Sequence, residues 1–180
     1  MSLLPPRSLL AAYQLVSKAW PSLHPSESDA ALWSKISETE LEKEWARWVA
    51  RTNEGGVTAR LFYKVVPGYS FAGGNNNFFR DSTLTPKDLV GKTDFDSVLP
   101  WSRQAASYRR HDEQVVKSLI PQLDILERQD QADGTTTLLH TSKTAVVDAK
   151  RKAIGLLGIY ELLDEATWAK MVLQRPTVPA

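Results

Sequence analysis

Gly91-Lys-Thr-Asp-Phe-Asp96 opens, and Gly155-Leu-Leu-Gly-Ile-Tyr160-Glu-Leu-Leu163 closes, the stretch that decides how this chain folds. Between them a helical run from Ser102 to Leu119 stops at Pro121, whose ring cannot continue a helix. Leu123 to Glu127 then reads as a strand, and Asp133-Gly134 as the turn between two β-rich runs. The last strand, Ala153 to Leu162, is apolar on both faces, with Ile154, Leu156 and Tyr160 on one side and Leu157 and Ile159 on the other. A strand with one wet face would alternate, so both sides of this sheet are expected to be covered. Gly155 and Gly158 lack side chains there, which predicts close approach by another element or a ligand.

The helix carries the most specific chemical signal. At 100° per residue, Ala105, Tyr108, Asp112, Val115, Val116 and Leu119 share one face, opposite Arg110, Glu113, Gln114 and Lys117. Asp112 therefore sits in the middle of an apolar stripe, where a carboxylate is costly unless hydrogen-bonded or paired. His111 falls on the flank of the stripe.

Upstream, Ala59 to Val66 reads as a first strand, turned at Pro67-Gly68 into a short second one at Tyr69 to Ala72. Gly73-Gly-Asn-Asn-Asn-Phe-Phe79 follows, with Phe78 and Phe79 expected in the core. Thr85-Pro86 marks a helix start with Pro at the first helical position.

Taken together, Gly91-Lys-Thr-Asp-Phe-Asp96, Tyr108-Arg-x-x-Asp112, Asp133-Gly134, Thr141-Ser-Lys143, Asp148 and Gly155 to Tyr160 resemble a PAS domain over residues 58 to 163. The nearest likeness is to PAS modules upstream of histidine kinases and diguanylate cyclases. The resemblance implies an α+β fold, a five-stranded antiparallel sheet with short helices on one face. It also implies a pocket between them that serves, across the family, heme, flavin, carboxylates, other metabolites or nothing. Some positions depart from the family pattern: Ala145 stands where a Pro is common, Lys150 where a turn Gly is common, and Leu162-Leu-Asp164 where kinase-linked members have Asp-Ile-Thr. The ligand-pocket candidates are Tyr108, Asp112, Val115, Phe79, His140, Leu156, Gly158 and Tyr160.

Outside residues 58 to 163 the expected organisation is an N-terminal helical extension, 1 to 57, and a C-terminal helix and tail, 164 to 180. Leu9, Tyr13, Val16 and Trp20 recur at helical spacing, Ser37 with Glu40 fits a capping box, and three of the six Trp fall between residues 33 and 48. Such aromatic area packs on its own core or on a partner, and pairing of two copies through the N-terminal helices and the outer sheet face is the expected assembly.

Composition limits function. With 22 Lys and Arg against 21 Asp and Glu, the net charge of +1 offers no general attraction to nucleic acid or acidic membranes. The absence of Cys removes disulfides, thiolate metal sites, thiol nucleophiles and cysteinyl-flavin photochemistry. No stretch approaches the ~20 apolar residues of a membrane span, so a cytoplasmic protein is expected. None of the three His has a second His at i+3 or i+4, so a metal site made of His alone is not expected; His111 is the heme-ligand candidate, and no cofactor is otherwise expected. No nucleophile, base and orienter set can be assembled, so a non-catalytic sensor or regulatory module is expected, with a partner-binding scaffold whose pocket is filled by its own side chains as the alternative.

Overall fold

The computed structural model describes residue 53 and residues 58–131, 133–147 and 152–175. The expectations for the N-terminal helices, Asp148 and Lys150 lie outside the described residues.

Five strands form one antiparallel sheet: β1 Arg60–Val65, β2 Ser70–Gly74, β3 Gln122–Asp130, β4 Thr136–Val147 and β5 Ala153–Leu163, in the spatial order β2-β1-β5-β4-β3. Between β2 and β3 the chain forms α1 Asn76–Ser82, α2 Pro86–Leu89, a 3-10 turn Ser102–Gln104 and α3 Ala105–Ser118; after β5 comes α4 Glu165–Leu173. The architecture is the α+β sheet with helices that the sequence predicts.

Local chemistry explains the element ends. Asn75 caps α1: its side-chain oxygen accepts from the N–H of Phe78 and of Leu61, and its amide donates to the Ala59 carbonyl. One buried side chain thus ties the helix to β1 and fixes which Asn of the repeated run precedes the helix. Thr85 caps α2 with Pro86 in its first turn, as the sequence suggests. The long helix is shorter than expected, because residues 102 to 104 form the 3-10 turn and Leu119 lies in the left-handed region at φ 57, its N–H donating to the Val115 carbonyl. Leu119 is therefore a C-cap and not part of the apolar stripe.

Register decides which side chains meet. Phe62 pairs with Gly74 on one side and Gly158 on the other, and Gly158 pairs in turn with Lys143. A Cβ on Gly158 would lie 2.2 Å from the Phe62 ring, so the close approach expected at this glycine is made by an aromatic ring of the neighbouring strand. The inner core gathers Phe62, Phe71, Phe78, Leu89, Leu99, Trp101, Tyr108, Val115, Leu139, Leu156 and Tyr160 under the helices. Leu61, Tyr63, Leu157 and Ile159 on the opposite face are buried as well, so neither face of the central strands is open to water.

Candidate ligand cavity

Alternation along three strands sends Phe62 and Lys64 of β1, Leu139, Thr141 and Lys143 of β4, and Glu127 and Gln129 of β3 to the helix-covered side of the sheet. With Phe71, Phe78, Asp94, Trp101, Tyr108 and Tyr160 they line a cavity of about 40 Å³. That space holds about three waters. Its walls are mostly aromatic: the Phe78 ring centroid lies 5.3 Å from that of Phe71, 5.4 Å from Phe62 and 5.7 Å from Trp101.

The polar part of the wall is one connected ion cluster. Lys64 Nζ donates to Asp94 Oδ2 and Asp112 Oδ2, each at 2.5 Å, and lies 5.0 Å from the Phe71 ring centroid. Lys143 Nζ donates to Asp112 Oδ1 at 2.9 Å and stands 3.5 Å from Glu127 Oε1. The indole N–H of Trp101 donates to Asp94 Oδ1, the Thr141 hydroxyl donates to Glu127 Oε2, and His111 Nδ1 lies 3.0 Å from Glu127 Oε1. Burial alone would raise the Asp112 and Glu127 carboxyls. Lys143 and Lys64 at Asp112, and Lys143, His111 and Thr141 at Glu127, more than offset it and hold both below the ordinary carboxylate range. At Lys143 burial would lower the ammonium's value, but Glu127 and Asp112 outweigh it and hold it above the usual lysine range.

Tyr108 stands apart from this cluster. It lines the cavity at 8% exposure, and its hydroxyl is buried with no hydrogen-bond partner. Burial, with Glu127 and Asp94 nearby, pushes the phenol far above its usual range, so it stays a neutral O–H. Tyr160 differs, since its hydroxyl donates to Asp81 Oδ2 at 2.9 Å and only its ring is left to the wall.

Of the eight sequence candidates, Tyr108 and Tyr160 line the cavity. Asp112 lies just behind the wall, where it joins the two wall lysines. Val115 and Leu156 are fully buried core residues, Phe79 packs half-buried against the core, and Gly158 makes room for Phe62. His140 pairs with Glu161, out of phase with Leu139 and Thr141, and so sits on the outer face of the sheet; the placement at the pocket is corrected by the strand register. His111 is on the flank of α3, bonded to Glu127, and does not line the cavity. Arg109 stacks over Tyr69 and Phe95 and reaches the Gly68 carbonyl, away from the site.

Sequence reasoning missed Lys64, Asp94, Glu127 and Lys143. The available signal was a lysine alternating with inward Phe62, and another alternating with Leu139 and Thr141, each two residues from an apolar or small inward neighbour.

No family model and no curated protein matches the chain. Solved structures do. A Vibrio cholerae VqmA dimer is 19% identical over 67% of this chain and 52% of its own, with a TM-score of 0.56. A phage VqmA-DPO complex is 17% identical over 79% of this chain and 65% of its own, at 0.55. A Rhodobacter sphaeroides LOV protein is 16% identical over 71% of each chain, at 0.50. The fold is that of a PAS domain. Against the VqmA chains this PAS chain spans only part of the length, 57% in the complex of VqmA with DPO. The PAS cavity described above, between α3 and the inner sheet face, is formed by this chain's own residues.

Proposed function

We propose that the chain is a sensory PAS module, without catalytic activity, whose signal is a small molecule held in the cavity. The observation that carries this reading is the Tyr108 hydroxyl, a buried donor without a partner on the cavity wall, because such groups are rarely left unpaired without a reason. Two of the similar structures contain VqmA with DPO, which supports a ligand-holding role for this fold. The carboxylates of the site are committed to ion pairs, which supports a binding role over proton transfer. Heme and flavin do not fit: a space for about three waters is far smaller than either ring system, and His111 does not face it. The signal would leave through a second copy or a partner protein meeting the N-terminal region and outer sheet face.

The second reading, a scaffold whose pocket is filled from within, is favoured by the packing of Phe62, Phe71 and Phe78 into most of the available space. Native mass spectrometry of the chain purified from its own host separates the two. A small added mass, absent after denaturation, and a dimer mass are expected; an apo mass carrying a partner protein would establish the scaffold instead.

A further inference from the structure

We infer, resting on the sensor reading, that residues 93–98 form a strap over the cavity which lifts to let its contents exchange, with Arg109 as the latch. No wall residue is more than 9% exposed, so a solute crosses the wall only where part of it moves. The other wall side chains hang from strands, helices or the head of the 3-10 turn, whose backbone bonds resist such a movement. Asp94 differs. It lies in a run where the Thr93 N–H donates to Asp96 Oδ2, the Asp96 N–H to the Thr93 carbonyl and the Leu99 N–H to the Asp96 carbonyl. Among the described residues no backbone hydrogen bond ties residues 93–98 to the sheet or to a helix, so side chains alone hold them down. The two ends are fixed: the Lys92 carbonyl accepts from the Phe71 N–H and the Gly91 N–H donates back to the Phe71 carbonyl, while Leu99 is a core residue at 2% exposure.

Two grips hold the strap, from opposite sides. Inward, Asp94 accepts from Lys64 Nζ at 2.5 Å and from the Trp101 indole N–H at 3.1 Å. Lys64 also donates to Asp112, so when the strap lifts, the ammonium keeps a carboxylate and Asp94 moves toward water. Neither ion is then buried alone, the arrangement that would forbid the motion. Outward, the half-exposed Phe95 ring centroid lies 5.3 Å from the Arg109 guanidinium carbon, which stacks at 4.5 Å over Tyr69 while Nη2 donates to the Gly68 carbonyl at 3.3 Å. Arg109 thus fastens the strap to the β1–β2 turn. Its Nε is buried without a partner, and among the described residues no carboxylate forms an ion pair with it, so stacking alone closes the latch. A partly exposed contact of this kind shifts the ratio of closed to open by about two- to fivefold, a grip that holds and still releases.

The Trp101 indole N–H reports on the inward grip and the Asp96 and Leu99 amides on the strap itself, so their hydrogen exchange with solvent, followed by two-dimensional NMR of the isotope-labelled full chain, tests the inference. Trp101→Phe assigns the indole signal. In the unaltered chain all three protons are expected to be less protected than the amides of β4 and β5 by about tenfold or more, as for a segment that opens by itself. Arg109→Gln is expected to speed the three by about two- to fivefold and to leave the strand amides unchanged. Protection equal to that of the strands, an unchanged rate in Arg109→Gln, a rise spread evenly over the chain, or a faster Leu99 amide beside an unmoved Trp101 indole would each overturn the strap. None of these outcomes bears on whether a small molecule copurifies with the chain, so the strap can fail while the sensor reading stands, and native mass decides that reading separately.

Discussion

At the level of single residues, Asp112 shows what periodicity can and cannot tell. Helical phase places it among apolar neighbours, and the structure finds it fully buried. Its partners are two lysines 48 and 31 residues away, and no local pattern names them. Both of its oxygens accept from ammonium groups, so the carboxylate is paired as well as hydrogen-bonded. Because Asp112 joins two otherwise separate ammonium groups, Asp112→Ala should cost about 3–5 kcal/mol, the range for breaking a buried ion pair from one side. His111→Ala removes one bond to Glu127 from a side chain that is 31% exposed, and should cost about 1 kcal/mol. Urea midpoints compare the two directly, and an equal or greater loss for His111→Ala would show that the helix is phased differently. Tyr108 was legible as a wall residue for the same reason as Asp112; that its hydroxyl has no partner was not, since a missing contact leaves no trace in sequence.

At the level of elements, the paired strands explain why glycine stands at positions 74 and 158, where a Cβ would meet a neighbouring ring or carbonyl. Phe62 lies between Gly74 and Gly158 across three neighbouring strands, and its ring occupies the space where a Gly158 side chain would be. The apolar runs that mark β1 and β5 were visible in sequence, but the register that places Phe62 opposite Gly158 depends on pairing across about a hundred residues. Gly158→Ala should push the ring toward the cavity and destabilise the domain by about 1–3 kcal/mol, as overpacking does. Pairing that variant with Phe62→Leu, which shortens the intruding side chain, should restore part of the loss; additive effects in thermal melts would mean that the two residues do not meet. The start of α2 was read correctly from Thr85-Pro86 because caps are local. The end of α3 falls one residue before the last apolar position of the stripe, because Leu119 is apolar in sequence and only its backbone angle reveals that it has left the helix.

For the molecule as a whole, the ion cluster sets the response to pH. Asp112 and Glu127 have folded-state values below their ordinary ones, so their stabilisation is present above about pH 4 and is lost as pH falls through that region toward the folded values. Lys143 is held above its ordinary value, so its contribution is present below about pH 10 and is lost as pH rises beyond it. Melting temperature should therefore form a plateau between about pH 5 and 9 with a fall on either side, and Asp112→Asn should flatten the acid limb. An acid limb unchanged by that substitution would place the titrating carboxylates elsewhere. The PAS fold was legible because its turn, cap and glycine signals are spread through residues 58 to 163 and agree with one another. The site was only half legible, because it is assembled from one face of three strands and one helix, and the sequence shows each face but not which faces meet.

Lys64 also bears on how β1 finds its place. A slip of one residue against β5 would turn Lys64 outward and bring Tyr63 or Val65 in, which in hydrophobic terms is nearly a fair exchange. Electrically it is not, because Asp94 would lose its ammonium partner and Asp112 one of its two, at several kcal/mol for a stranded ion. Two strand pairings that greasy packing alone would scarcely tell apart are thus separated by charge, and the shifted one is rejected before it can compete.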